Sequence, residues 1–224
     1  MRNLISSILA IASLLLCMKA NATLVTISSC TGAISCQITN TPPNPIQRNP
    51  NNGILLAWDE VQNFTLASDL RVDRVFDPTA SFISDAGGGD FFIAAGTVVS
   101  SHYLQWDPGN GSSSTVQGTI ELDSQVFAFI TSDQNLFDSD AQLGLPGFDY
   151  NDFGLRGLES GDTTIFNGSN TDIRWSASSP GDWTRLITAF SPGGMPPTNV
   201  PEPGTLGLFC IGVVGLAKAR RRKA

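Results

Sequence analysis

The sequence predicts an all-β fold: an antiparallel β-sandwich, jelly-roll-like, built as a single domain. Three observations carry that expectation. Val116–Asp123 alternates strictly, with Val116, Gly118, Ile120 and Leu122 on one face and Gln117, Thr119, Glu121 and Asp123 on the other. Period two is the signature of a half-buried strand. Clusters of Gly, Asp, Asn and Ser punctuate the chain roughly every ten residues, as short strands joined by turns require. Stretches of helical period are scarce, and Ser139–Gly144 is the one place where a helical turn is expected.

Taken in order, Leu24–Ile27 opens as a strand, a cysteine-bearing loop follows, and Ser35–Thr39 resumes the β pattern. Residues 40–53 are dense in Pro and Asn, a composition that neither strand nor helix tolerates, and form a long surface loop. Ile54–Asp59, Gln62–Leu66 and Leu70–Val75 are the next strands. Gly87-Gly88-Gly89 lies between Asp85 and Asp90 and reads as a flexible loop. Phe91–Val99 is apolar with Gly96 inside it. Tyr103–Trp106 runs into the turn Asp107-Pro108-Gly109-Asn110-Gly111. After the alternating strand, Val126–Thr131 is apolar on both faces and so belongs inside a sheet. Leu155–Leu158, Thr164–Phe166, Asp172–Ala177 and Trp183–Phe190 complete the set.

Both ends read as targeting segments. Residues 1–22 have a positive start at Arg2, an apolar run Leu4–Leu16, and Ala20-Asn21-Ala22. Small residues at Ala20 and Ala22 suit signal peptidase, with cleavage before Thr23. A retained membrane helix would have only this short apolar run to span with. Between the two ends lie residues 23–199, enough for one domain with a sizeable core. That stretch has six arginines (Arg48, Arg71, Arg74, Arg156, Arg174 and Arg185), no lysine, and nineteen acids, a net charge of −13. So acidic a surface excludes nucleic acid as a partner, because phosphates need cations. It favours solubility and draws divalent cations.

Of the four cysteines, Cys17 and Cys210 fall in the targeting segments, leaving Cys30 and Cys36. Export implies an oxidising compartment, so a local Cys30–Cys36 disulfide is expected. The alternative is half of a metal site, but zinc lacks ligands where His102 is the chain's one histidine.

Chemistry is thinly signposted. Asp138, Asp140, Asp149 and Asp152 stand in an acid-dense stretch that also holds Asp133, Glu159 and Asp162. They supply the oxygen ligands calcium takes, without completing a calcium-loop pattern, so Ca2+ is the one cofactor to consider, against a solvated acidic loop. His102 follows Ser100-Ser101, yet no Gly-x-Ser-x-Gly elbow accompanies it, and it reads as a half-buried strand residue. Paired carboxylates for a glycosidase are available, but no pair is singled out among nineteen. Trp58, Trp106, Trp175, Trp183 and Tyr103 form either a core or a sugar-stacking platform. No catalytic motif is found, and the expectation is a protein that is not an enzyme.

The most informative stretch is 200–224. Val200-Pro201-Glu202-Pro203 leads into the apolar Gly204–Ala217, followed by the basic stop Lys218, Arg220, Arg221, Arg222 and Lys223. The flanking prolines keep the motif extended and withhold hydrogen-bond donors, which presents it for reading. The basic cluster stays cytoplasmic by the positive-inside rule and leaves the preceding domain outside. The apolar segment would be roughly 21 Å long as a helix, short of a ~30 Å hydrocarbon core, so a transient hold suits it better than a permanent anchor. This tail resembles the PEP-CTERM sorting signal of Gram-negative bacteria. The resemblance implies recognition of Pro201, Glu202 and Pro203 by exosortase, an integral membrane enzyme, with brief residence in the inner membrane and sorting to the cell surface or extracellular matrix. It further implies a structural or adhesive role beside exopolysaccharide or biofilm. The alternative is a secreted polysaccharide-acting hydrolase or a carbohydrate-binding module, calcium-dependent or not.

Overall fold

A computed structural model describes residues 24–109, 113–151, 154–178 and 180–189. Strand β1 (Leu24–Thr31) turns through Gly32 into β2 (Ser35–Ile38), and a Cys30–Cys36 disulfide staples the turn. Gly32 has φ +81°, and a Cβ there would sit 1.8 Å from the Thr115 carbonyl oxygen, so only glycine fits. The Pro/Asn-rich stretch carries no strand or helix, but it is pinned: Ile46 is fully buried, and its N–H donates to the Asp149 carbonyl at 2.9 Å.

Strands β3 (Ile54–Asp59), β4 (Phe64–Thr65), β5 (Leu70–Val72) and β6 (Arg74–Val75) follow. A hairpin of β7 (Ile83–Gly87) and β8 (Asp90–Ile93) comes next. Gly87, Gly88 and Gly89 all have positive φ and make that hairpin's turn, where the sequence suggested only a loop. The apolar run at 91–99 is divided by Gly96 between β8 and the long β9 (Val98–Trp106). Then come β10 (Ser114–Leu122), β11 (Val126–Ile130), helix α1 (Asp133–Leu143), β12 (Thr163–Asn167), β13 (Asn170–Ala177) and β14 (Asp182–Thr188).

Antiparallel sheets dominate. One has the order β1-β10-β13-β12, a larger one β2-β3-β9-β14-β11-β6, and β5-β8-β7 form a third. The exception is β2, which pairs parallel with β3. The alternation in β10 is realised: Val116, Gly118, Ile120 and Leu122 are buried, and Gln117 faces out. Strand β11 sits between β14 and β6, the interior position its apolar faces predict.

The large sheet is covered on both sides. Leu55, Leu104, Trp106, Phe129 and Leu186 share one apolar cluster with Val116, Ile120, Ile173 and Trp175 of the four-stranded sheet. Trp58, Tyr103, Ile130, Trp183 and Ile187 point the other way, into a cluster closed by Leu136 and Leu143 of α1 and by Ile93 and Val72. Among the described residues no helix is long and apolar enough to cross a membrane. The predicted signal peptide and the tail, including Gly204–Ala217, lie outside the described residues.

Two expectations are corrected. The helical turn anticipated at 139–144 is a three-turn helix over Asp133–Leu143. Its inward face mixes Leu136 and Leu143 with the polar Asn135 and Ser139, so the apolar period that announces a helix is diluted. Leu155–Leu158 is not a strand. Gly157 adopts φ +134° there, and the Arg156 side chain turns into the interior.

Candidate functional site

The densest chemistry in the fold is a buried ionic network between α1 and the large sheet. Arg185 of β14 lies opposite Tyr103 of β9, which in turn lies opposite Trp58 of β3, so all three project from one face. Trp58 and Tyr103 stack with ring centroids 5.0 Å apart. Glu60, just past β3, takes Arg185 in a two-point pair: Nε donates to Oε2 at 2.6 Å and Nη2 to Oε1 at 2.8 Å. Ser101 donates its hydroxyl to the same carboxylate. The helix supplies Asp140, which accepts from Arg185 Nη2 at 3.0 Å and from both terminal nitrogens of Arg156 at 2.7 and 3.0 Å. Arg156 Nη2 also donates to the Tyr103 hydroxyl at 3.0 Å, and the Tyr150 hydroxyl accepts the Leu145 N–H at 3.0 Å.

The network is electrically balanced, two guanidiniums against two carboxylates. Burial works against the charge on Arg185, but Glu60 and Asp140 outweigh it and hold its proton more firmly than usual. Arg156 follows the same logic through Asp140. Burial pushes the Tyr103 hydroxyl up to about 12, against the lowering pull of Arg156 and Arg185. Tyr150 is raised further by burial and by Glu60. Every group is engaged by another, so the arrangement fastens α1 to the sheet and leaves no group poised for proton transfer.

His102 is likewise spent internally. Its Nδ1 lies 2.7 Å from Asp59 Oδ1 and its Nε2 3.1 Å from Thr188 Oγ1. The ring has no exposure, where the sequence suggested a half-buried residue. Asp–His–Thr is the order of a hydrolytic triad, but Thr188 is buried too, and no substrate reaches it. All four tryptophans and Tyr103 are fully buried. They are core, not a sugar-stacking platform.

The four aspartates considered for calcium do not converge. Asp138 and Asp140 are two positions apart on α1 and therefore diverge. Asp138 accepts from Gln134 Nε2 at 2.8 Å on the exposed side, while Asp140 is occupied by two guanidiniums. Asp149 caps its own turn through the Asn151 N–H. Asp152 lies outside the described residues. The acids that do meet are Glu159, Asp162 and Asp182, whose ligand oxygens lie within 4.8 Å of one another. Glu159 and Asp162 belong to the acid-dense stretch, but Asp182 arrives from a separate strand, which no local pattern signals.

A surface cleft of about 590 Å³ runs between α1 and the β5–β8 ribbon, lined by Phe64, Asp69, Arg71, Phe92, Asp138 and Gln142 among others. Several of its polar groups are braced by the fold. Gln142 Oε1 accepts the N–H groups of Ala67 and Ser68, and Arg71 pairs with Asp90 at 2.7 Å.

What emerges is an acidic, disulfide-stapled β domain whose buried arginines serve its own architecture. Residues 199–223 match the PEP-CTERM protein-sorting motif. The chain is a PEP-CTERM domain-containing protein, exported and sorted by exosortase. No curated protein and no solved structure matches it.

Proposed function

We propose that residues 23–199 are a cargo domain delivered to the cell surface or extracellular matrix, where it acts as a structural or adhesive component beside exopolysaccharide or biofilm. The observation that carries this reading is the sorting motif over 199–223, which assigns the chain to export and exosortase handling. Pro201, Glu202 and Pro203 are the residues exosortase reads, signal peptidase cuts before Thr23, and Gly204–Ala217 holds the chain in the inner membrane until processing. The basic stop from Lys218 to Lys223 fixes the orientation.

A non-enzymatic role is supported by the engagement of the usual catalytic groups. His102, Arg156 and Arg185 have their polar atoms committed to internal partners. The cleft beside α1, lined by Phe64 and Phe92 together with Asp69 and Asp138, offers mixed aromatic and acidic surface that favours polysaccharide contact. Should the protein instead be a polysaccharide hydrolase, changing Asp69 or Asp138 singly to Asn abolishes turnover; a structural component tolerates either change.

The test is fractionation of the full chain against a deletion of residues 200–224, with mass spectrometry of the mature C-terminus. The full chain is expected first in the membrane fraction and then at the surface without its tail, and the deletion soluble. Surface protein that still ends at Ala224 overturns the sorting reading.

A further inference from the structure

We propose that Glu159, Asp162 and Asp182 form a calcium site at the end of β14, independent of the sorting tail. Asp182 is the observation that lifts this trio above an acidic cluster. Its side chain is fully buried, and among the described residues no hydrogen-bond donor reaches either carboxylate oxygen. A buried carboxylate without a donor or a counter-charge is costly, and folded proteins resolve it with a partner, a proton or a metal.

The contrast with the ionic network is direct. There, each buried acid faces a guanidinium. Around Asp182 the neighbouring charges are those of Glu159, Asp162 and Asp107, all negative. A divalent cation supplies the missing positive charge.

The trio is held in place. Asp162 accepts the Ser176 N–H at 2.6 Å on one oxygen and the Glu159 N–H at 2.9 Å on the other, which fixes its plane and leaves a lone pair on each oxygen. The backbone closes around the site at two glycines. A Cβ on Gly157 would lie 2.4 Å from the Thr131 carbonyl oxygen, and one on Gly181 1.9 Å from that of Trp106. The Trp183 N–H donates to the Gly157 carbonyl, tying the two segments together. Glu159 is exposed and borders a depression of about 300 Å³, which makes it the member of the trio that faces solvent; Asp162 and Asp182 lie buried behind it.

The donor set is all oxygen, which selects hard cations over zinc or copper. Oxygens around a calcium at 2.3–2.6 Å lie no more than roughly 5 Å apart, as these do. Three carboxylates in mixed mono- and bidentate modes, completed by water, reach the six to eight ligands calcium takes. Magnesium demands a tighter octahedron and dehydrates reluctantly. Affinity in the range of extracellular calcium modules, about 10⁻⁴–10⁻³ M, is expected.

The experiment is a terbium and calcium titration of the full chain at neutral pH. Trp106 lies directly opposite Asp182 across the β9–β14 pair and is placed to sensitise terbium emission. Expected are saturable emission at one ion per chain, displacement by calcium but not by equal magnesium, and a melting temperature about 3–6 °C higher in calcium at ten times the dissociation constant than in chelator. Asp182→Asn, which removes buried charge and so folds, should weaken binding at least tenfold. Glu159→Gln, on the exposed side, should weaken it less, and the surface control Asp138→Asn not at all. Melting that is the same in calcium and chelator, or terbium emission that survives in Asp182→Asn, overturns the proposal.

Discussion

Glu60→Gln is the sharpest probe of how this domain holds together. The substitution keeps the shape of the side chain and removes one negative charge from a network that is neutral as it stands. Arg185 then has only Asp140 as a carboxylate partner, and Asp140 is already bound at two points by Arg156. The two guanidiniums, both buried, are left sharing one charge. Breaking a buried pair from one side costs about 3–5 kcal/mol, since the desolvated partner loses its compensation. For a domain of this size each kcal/mol lowers the melting temperature by about 2–4 °C, so a fall of roughly 6–20 °C is expected. The assay is thermal unfolding followed by near-ultraviolet circular dichroism, which reads the Trp58–Tyr103 stack beside the network. Arg71→Gln serves as the reference: its pair with Asp90 is 2.7 Å long but leaves Arg71 45 % exposed, and such surface pairs contribute about 0–1 kcal/mol. If Glu60→Gln melts within a degree of Arg71→Gln, the network does not fasten α1 to the sheet.

Three further expectations follow from the same structure. Replacing Cys30 and Cys36 with serine opens a loop of seven residues, for which chain entropy gives about 2 kcal/mol, a loss of roughly 4–8 °C that reductant should reproduce in the parent protein. Tyr103 and Tyr150 are the chain's two tyrosines, and both are raised above the ordinary value of 10.0. The unfolded chain therefore loses these protons first, stability falls as pH rises above about 10, and ultraviolet titration should show no tyrosinate before unfolding begins. In chelator, Asp182 keeps its proton up to about 9 in the folded state and only to about 3.8 when unfolded, so the native state binds the extra proton between those values and stability declines as pH rises through that window. Asp182→Asn should flatten that slope, and an unchanged slope would mean that another group sets it.

The parts of the fold legible in sequence are those where one face meets water. Strand β10 could be placed because Gln117, Thr119 and Glu121 alternate with buried apolar residues. Strand β9 was harder, because both its faces are buried and polar residues stand inside it; β14, buried on both faces too, was still signalled by the run Trp183–Phe190. His102, Gln105, Thr184 and Arg185 interrupt any apolar pattern, yet each is buried. Helix α1 was truncated for the same reason, since Asn135 and Ser139 face inward. The sorting motif posed no such difficulty. It matches as one contiguous run, residues 199–223, so nothing needs to be brought together by folding before it can be seen.

The acids illustrate why a site in the cargo domain escapes a linear reading. Composition gives nineteen acids against six arginines between residues 23 and 199, and the natural guess places a cation wherever acids are densest along the chain. Folding sorts them by a different rule. Asp140 looked like a ligand beside Asp138, but Arg156 and Arg185, 16 and 45 residues further on, claim it. Asp182 stood apart from other acids, and the close approach of Gly157 and Gly181 to neighbouring backbone carries it to Glu159 and Asp162. In a chain with so few cations, where the arginines go decides which carboxylates become architecture. A buried acid that no arginine reaches, as Asp182 is among the described residues, must find its positive charge from outside the chain or remain protonated, and it is this residue, not the densest acidic run, on which the cation hypothesis turns.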